Sequence, residues 1–317
     1  MYKLLDWIRL DKLDIAEFSK SKNPEAMKIL RKHPHDMNWV WLSSNPSPEA
    51  FELLDANKDL IEWDKLLQNQ NPDAIQLIRQ NMNKIHTFEW YGLSSNPCPD
   101  AMKLLRENPD KIYWYGLAKN PCSEAFELIK ENLHCLDKFA WGWLSTNSNP
   151  DIIKLLKEEN RDKIDWCWMS SNPSDEALQL LKENEEKIWW DRLSENPHPE
   201  AIELLKANKA KIDWLWFSSN LHPEAIKLLK ENEDKIAWHW LSSNPHPEAL
   251  ELLKQSPDKI NYHVLSSNPG IFERDYIEMS KKRTMIILED FLKNVLHPRR
   301  IIKFLELGGD MDDYLIN

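Results

Sequence analysis

The unit at residues 211–232, Lys-Ile-Asp-Trp-Leu-Trp-Phe-Ser-Ser-Asn-Leu-His-Pro-Glu-Ala-Ile-Lys-Leu-Leu-Lys-Glu-Asn, returns almost unchanged 24 residues later. A unit this short cannot enclose a core of its own and must bury its apolar residues against its neighbours. The repetition therefore predicts one elongated body of stacked units, although 317 residues of ordinary sequence would be long enough for two domains. The motif asparagine marks the register at Asn45, Asn69, Asn96, Asn120, Asn147, Asn172, Asn196, Asn220, Asn244 and Asn268, with Ser21 in the same place of a degenerate first unit. Three steps exceed 24 residues, by three before Asn96, three before Asn147 and one before Asn172. The extra length always falls between the Leu-Leu run and the following Trp, so one connector tolerates insertion and the other does not.

Each unit reads as two short helices. In helix A, exemplified by residues 200–208, Ala201, Ile202, Leu204 and Leu205 gather within about 160° of the helical wheel, a face wide enough to meet two neighbours. Proline at the first helical position, as at Pro48, Pro72, Pro99, Pro199, Pro223 and Pro247, follows residues that can cap, such as Ser47 and Asn71. Helix B begins near Ile212 and runs about two turns through Trp214 and Phe217 to the Ser-Ser-Asn stop. Such helices are marginal alone, so stacking must stabilise them. The predicted fold is all-α, an α-solenoid of about ten 24-residue two-helix repeats with N- and C-terminal helical caps. Residues 1–22 form a degenerate N-terminal repeat or cap, 23–269 the repeat array, and 270–317 a C-terminal helical cap over the last repeat.

The Leu-Ser-Ser-Asn-Pro units at residues 42–46, 93–97 and 241–245 bear on origin, as do the ending Ile-Phe-Glu-Arg-Asp-Tyr at 271–276 and His-Pro-Arg-Arg-Ile at 297–301. With these motifs, almost the whole chain resembles a repeat-protein family abundant in giant DNA viruses of the mimivirus kind. The resemblance implies a viral protein located in the host cytoplasm or viral factory, or in the virion; it implies no particular chemistry.

Recurrence separates what every unit needs from what it does not. The first Trp of helix B, from Trp39 to Trp238 with Tyr262 in the last unit, and the apolar residue three positions on, from Leu42 to Leu265, share one helical face and read as core. The motif Asn reads as a structural ladder, since it persists where the following Pro is replaced by Leu221 or Ser148. Acids in the first turn of helix A and bases in its last turn complement the helix dipole and do not form a phosphate track. His198, His222 and His246 recur at the cap position, at a repeat spacing of about 8–10 Å that prevents them from sharing one ion. The same spacing keeps Cys98 and Cys122 apart as free thiols.

Composition narrows the function. A formal charge of −11 opposes a nucleic-acid partner, four cysteines without paired spacing fit a reducing compartment, and neither an export signal nor a membrane span is visible. No phosphate loop, nucleophile elbow or metalloprotease motif occurs, so the chain reads as a non-enzyme with no cofactor and no metal site. The two positions after the first Trp of helix B vary from unit to unit. They lie about 100° and 200° round the helix from the core Trp, so a partner is free to choose them. The candidate protein-binding face is accordingly Tyr91, Tyr115, Trp143, Trp168, Arg192, Leu215, Trp216, His239 and Trp240, with Trp143–Trp168 and Trp216–Trp240 expected as stacked pairs. The competing expectation is that these rings fill space between rows of helices. The leading function is a scaffold for protein–protein interaction, with oligomeric state open; the alternatives are a minor capsid or internal virion protein and, third, a nucleic-acid-binding protein.

Overall fold

The computed structural model describes residues 1–158, 160–308 and 310. The chain divides into two compact units: Leu4–Phe272, which holds the repeats, and Met1–Lys3 with Glu273–Asn317. The repeat unit is an α-solenoid of helix pairs packed on their neighbours. Helix A spans eight or nine residues, for example Pro199–Ala207 and Pro223–Lys230. Helix B is in most units shorter than the two turns of its sequence pattern, four residues at Trp214–Phe217, and reaches two turns at Lys138–Leu144. The difference lies in the connector, where Lys209–Lys211 and its counterparts form a one-turn 3-10 helix. Ile212 leaves that turn in extended conformation, and Asp213 caps helix B by accepting the amides of Leu215 and Trp216.

Three recurring devices join successive units. The apolar residue three positions after the first Trp is fully buried in every repeat, from Leu42 to Leu265. The motif Asn donates both amide protons to carbonyls of the preceding repeat: Asn196 bonds Ser170 and Asn172 at 3.1 and 2.9 Å, and its own oxygen accepts the His198 amide at 3.0 Å. This pattern holds at all ten motif asparagines, from Asn45 to Asn268, so the ladder expected from the sequence is present. The third device is the first Ser of the Ser-Ser-Asn stop. Its hydroxyl accepts the amide before the next helix B, as Ser194 Oγ does from Asp213 at 3.0 Å, while donating to the carbonyl of its own Trp190 at 2.7 Å.

The array does not run out into two separate ends. Asp14 donates its amide to Ser266 Oγ at 2.8 Å, the same bond that joins every serine-bearing pair of repeats, and Lys12 lies 5.0 Å over the Tyr262 ring as Lys259 lies 4.5 Å over Trp238. The first unit, with the 3-10 helix Ile15–Lys20 in place of helix B, thus docks on the last helix B, Tyr262–Ser266. The repeat unit closes into a ring of eleven B elements among the described residues. This corrects the expected elongated body, because the small rotation between units sums to a full turn. At the seam, Leu5 donates to the Ile271 carbonyl at 2.9 Å, and Phe18 meets Phe272 edge-on at 5.7 Å. A Cβ on Gly270 would lie 2.7 Å from the Pro245 carbonyl oxygen, so the seam is too tight there for any side chain.

Along most of the ring, consecutive B helices approach more closely than consecutive A helices. In a closed ring the more closely spaced layer is the inner one, so helix B forms the inner wall and helix A the outer. On the outer layer the base of one A helix reaches the acid of the next, as in Lys182–Glu200 at 2.6 Å and Lys230–Glu248 at 2.8 Å. These columns therefore bridge repeats as well as complementing their own helix dipoles.

The second unit carries two helices, Tyr276–Val295 and Pro298–Glu306. Strand β1 (Tyr2–Leu4) pairs with β2 (Phe272–Arg274) in a two-stranded sheet. No helix among the described residues is long and apolar enough to cross a membrane.

Candidate protein-binding face

The core Trp of helix B faces the A layer, which turns the residue two positions later toward the inner wall. There the variable side chains form a column. Tyr91 and Tyr115 stack at 4.5 Å between ring centroids and 10° between planes; Trp143 and Trp168 stack at 4.7 Å and 30°. Trp216 and Trp240 meet at 5.3 Å and 37°. Arg192 joins the two Trp pairs, its guanidinium carbon 5.3 Å from the Trp168 ring and 5.2 Å from the Trp216 ring. All the members named in the sequence except Leu215 and His239 take part in this line. Leu215 is 48% exposed beside it, and His239 meets Trp240 edge-on at 5.4 Å while its Nδ1 contacts Asn261 Nδ2 at 3.1 Å.

Tyr-Gly units reach the same column from the first variable position. A Cβ on Gly116 would lie 2.8 Å from the Tyr91 ring, so glycine at the second position makes room for the neighbouring tyrosine. Burial against Tyr91 pushes the Tyr115 hydroxyl above the ordinary tyrosine range.

Two further members escaped the sequence reading. Lys119 lies 4.0 Å over Trp143, and Lys20 lies 4.2 Å over Trp41, which is itself 39% exposed. Each lysine replaces the second Ser of the Ser-Ser-Asn stop, and that substitution was the available signal. Every cation–π contact of this kind contributes about 0.5–1 kcal/mol at a partly exposed site.

The column's polar groups are under-used. The Nε of Arg192 is buried without a hydrogen-bond partner, and its Nη1 lies 3.5 Å from Glu195. Burial drives the Glu195 carboxyl above its ordinary value, with Arg192 opposing that rise. Burial likewise raises the Cys167 thiol, which Arg192 opposes. Within the described residues, the indole N–H groups of Trp143, Trp168, Trp216 and Trp240 donate to no protein acceptor. The ring faces are spent on one another; their edges and donors remain available.

The first-Trp column packs on the core, as expected, but with uneven burial. Trp90 and Trp141 are buried, whereas the others are partly so, and Trp63, Trp166, Trp190, Trp214 and Trp238 are covered by the lysine of the next 3-10 turn, as Lys235 covers Trp214 at 4.7 Å. His198, His222 and His246 act as helix caps, their Nδ1 atoms accepting the amides of Glu200, Glu224 and Glu248 at 3.2, 3.1 and 3.2 Å. The four cysteines are free thiols. At the seam, ligand atoms of Asp14, Glu17 and His263 lie within 4.8 Å of one another, but Glu17 already accepts Lys20 at 2.6 Å and Asp14 pairs with His263 at 3.0 Å. Comparison with family models, curated proteins and solved structures returns no match to this chain.

Proposed function

We propose that the protein is a non-enzymatic scaffold that binds a protein partner on the inner wall of its ring. The observation that carries this reading is the column from Tyr91 to Trp240, partly exposed and varied in sequence while the surrounding stack is uniform. Trp and Arg side chains with unspent donors, set in a partly desolvated row, are the groups that concentrate binding energy in protein interfaces. The giant-virus resemblance of the repeats supports a viral origin and a place of action inside the infected cell. Affinity capture with the wild type and with a Trp216→Ala, Trp240→Ala double variant tests the reading. The partner set should shrink in the variant while helicity is retained; an unchanged set rejects the face.

A second reading, a minor capsid or internal virion component, is favoured by the apolar surface left open on the C-terminal helices. Mass spectrometry of purified particles decides it, since absence of the chain from the particle removes that reading.

A further inference from the structure

The second unit exposes a run of apolar side chains on the helix Tyr276–Val295. Ile277, Met285, Ile287, Leu288 and Phe291 are 53–70% exposed, values that the repeat unit reaches at isolated residues such as Phe88 and Phe139. The following helix, Pro298–Glu306, leaves Ile302 and Leu305 exposed as well, so neither helix covers the other's apolar side. A soluble protein seldom leaves so continuous a surface open.

The charges along this helix identify what fits the surface. Its first half carries Lys281, Lys282 and Arg283 against one acid, Glu278, and its second half Glu289 and Asp290 against one base, Lys293. Ile277, Thr284, Leu288 and Phe291 lie on one face, and Arg283 and Asp290 sit seven residues apart along one flank of it. If two copies pack these faces antiparallel about a two-fold axis between residues 286 and 287, Arg283 of each falls level with Asp290 of the other. In antiparallel helices the same flank meets itself, so both pairs form at once. A parallel pairing would instead set opposite flanks together and leave Arg283 and Asp290 without each other.

We infer that this helix is a homodimerisation element and that its occupant is the same helix of a second copy, antiparallel and isologous. The pairing uses none of the residues of the candidate binding face, so it stands independently of the binding reading above.

Sedimentation equilibrium on the full chain tests the inference. The wild type should be a dimer at tens of micromolar, and a Leu288→Glu, Phe291→Glu variant a monomer with unchanged circular dichroism. Arg283→Asp and Asp290→Arg should each weaken association at least tenfold, and combining them in one chain should restore it. A monomeric wild type, as expected if the helix folds back on its own chain, overturns the inference. So does a combined charge swap that fails to recover the dimer.

Discussion

Asn196 shows how much one side chain contributes to the stack. It is fully buried, donates twice to the preceding repeat and accepts once from its own, so alanine there strands two carbonyls and an amide. Asn196→Ala should cost roughly 2–4 kcal/mol, read as a lowered urea midpoint. This role was legible because the Asn persists where its proline does not. The Ser two residues before it was not legible in the same way. Serine is ordinary at a helix end, and only its position against the next repeat shows that Ser194 serves two repeats at once. Glu195 makes a pH-dependent prediction. Its carboxyl is raised in the fold, so its contribution to stability is complete below the ordinary value of 4.5 and is lost as pH rises through the raised value. Glu195→Gln should therefore gain stability relative to wild type as pH is taken from about 4 to 7, followed by thermal melts; a difference that stays flat or reverses contradicts the assignment.

The helices show why the insertions fall where they do. Each three-residue insertion follows a unit whose bridging Ser has been replaced, by Leu67 before Asn96 and by Ala118 before Asn147. Without that hydroxyl the inserted residues make their own turn before Trp: the helix Lys138–Leu144 starts three residues early with Asp137 accepting the Ala140 amide at 2.8 Å, and the 3-10 turn Thr87–Glu89 precedes Trp90 with Glu89 accepting the His86 amide at 2.8 Å. The insertion sites were visible in the sequence, but their cause was not, since it depends on a bond between repeats. The histidine caps are also element-scale devices. His246→Ala removes an acceptor from the helix Pro247–Gln255 and should destabilise by about 1 kcal/mol, whereas His246→Asn should be close to neutral in the same denaturation assay. The candidate face follows the same logic. Its composition was legible from variation between units, but the lysines that cover Trp41 and Trp143 come from another row of the repeat.

Across the whole repeat unit, the period predicted the stack but could not predict closure. Eleven B elements share one full circle at about 33° each, and a few degrees less per joint would leave an open superhelix. The seam retains most of the joint chemistry, but it lacks one part. Ser21 stands where every other unit has Asn; its hydroxyl accepts the Asn23 amide at 3.1 Å, yet it has no amide to offer the Ser266 and Asn268 carbonyls. Ser21→Asn should complete the ladder and stabilise the fold by about 1–2 kcal/mol, seen as a higher urea midpoint. Closure itself is tested most directly by the distance between spin labels at Asp11 and His263, placed in a background without native cysteines and measured by double electron–electron resonance. The ring predicts a separation within about 20 Å, whereas an open array of units spaced about 10 Å apart would hold the labels near 100 Å and would contradict it.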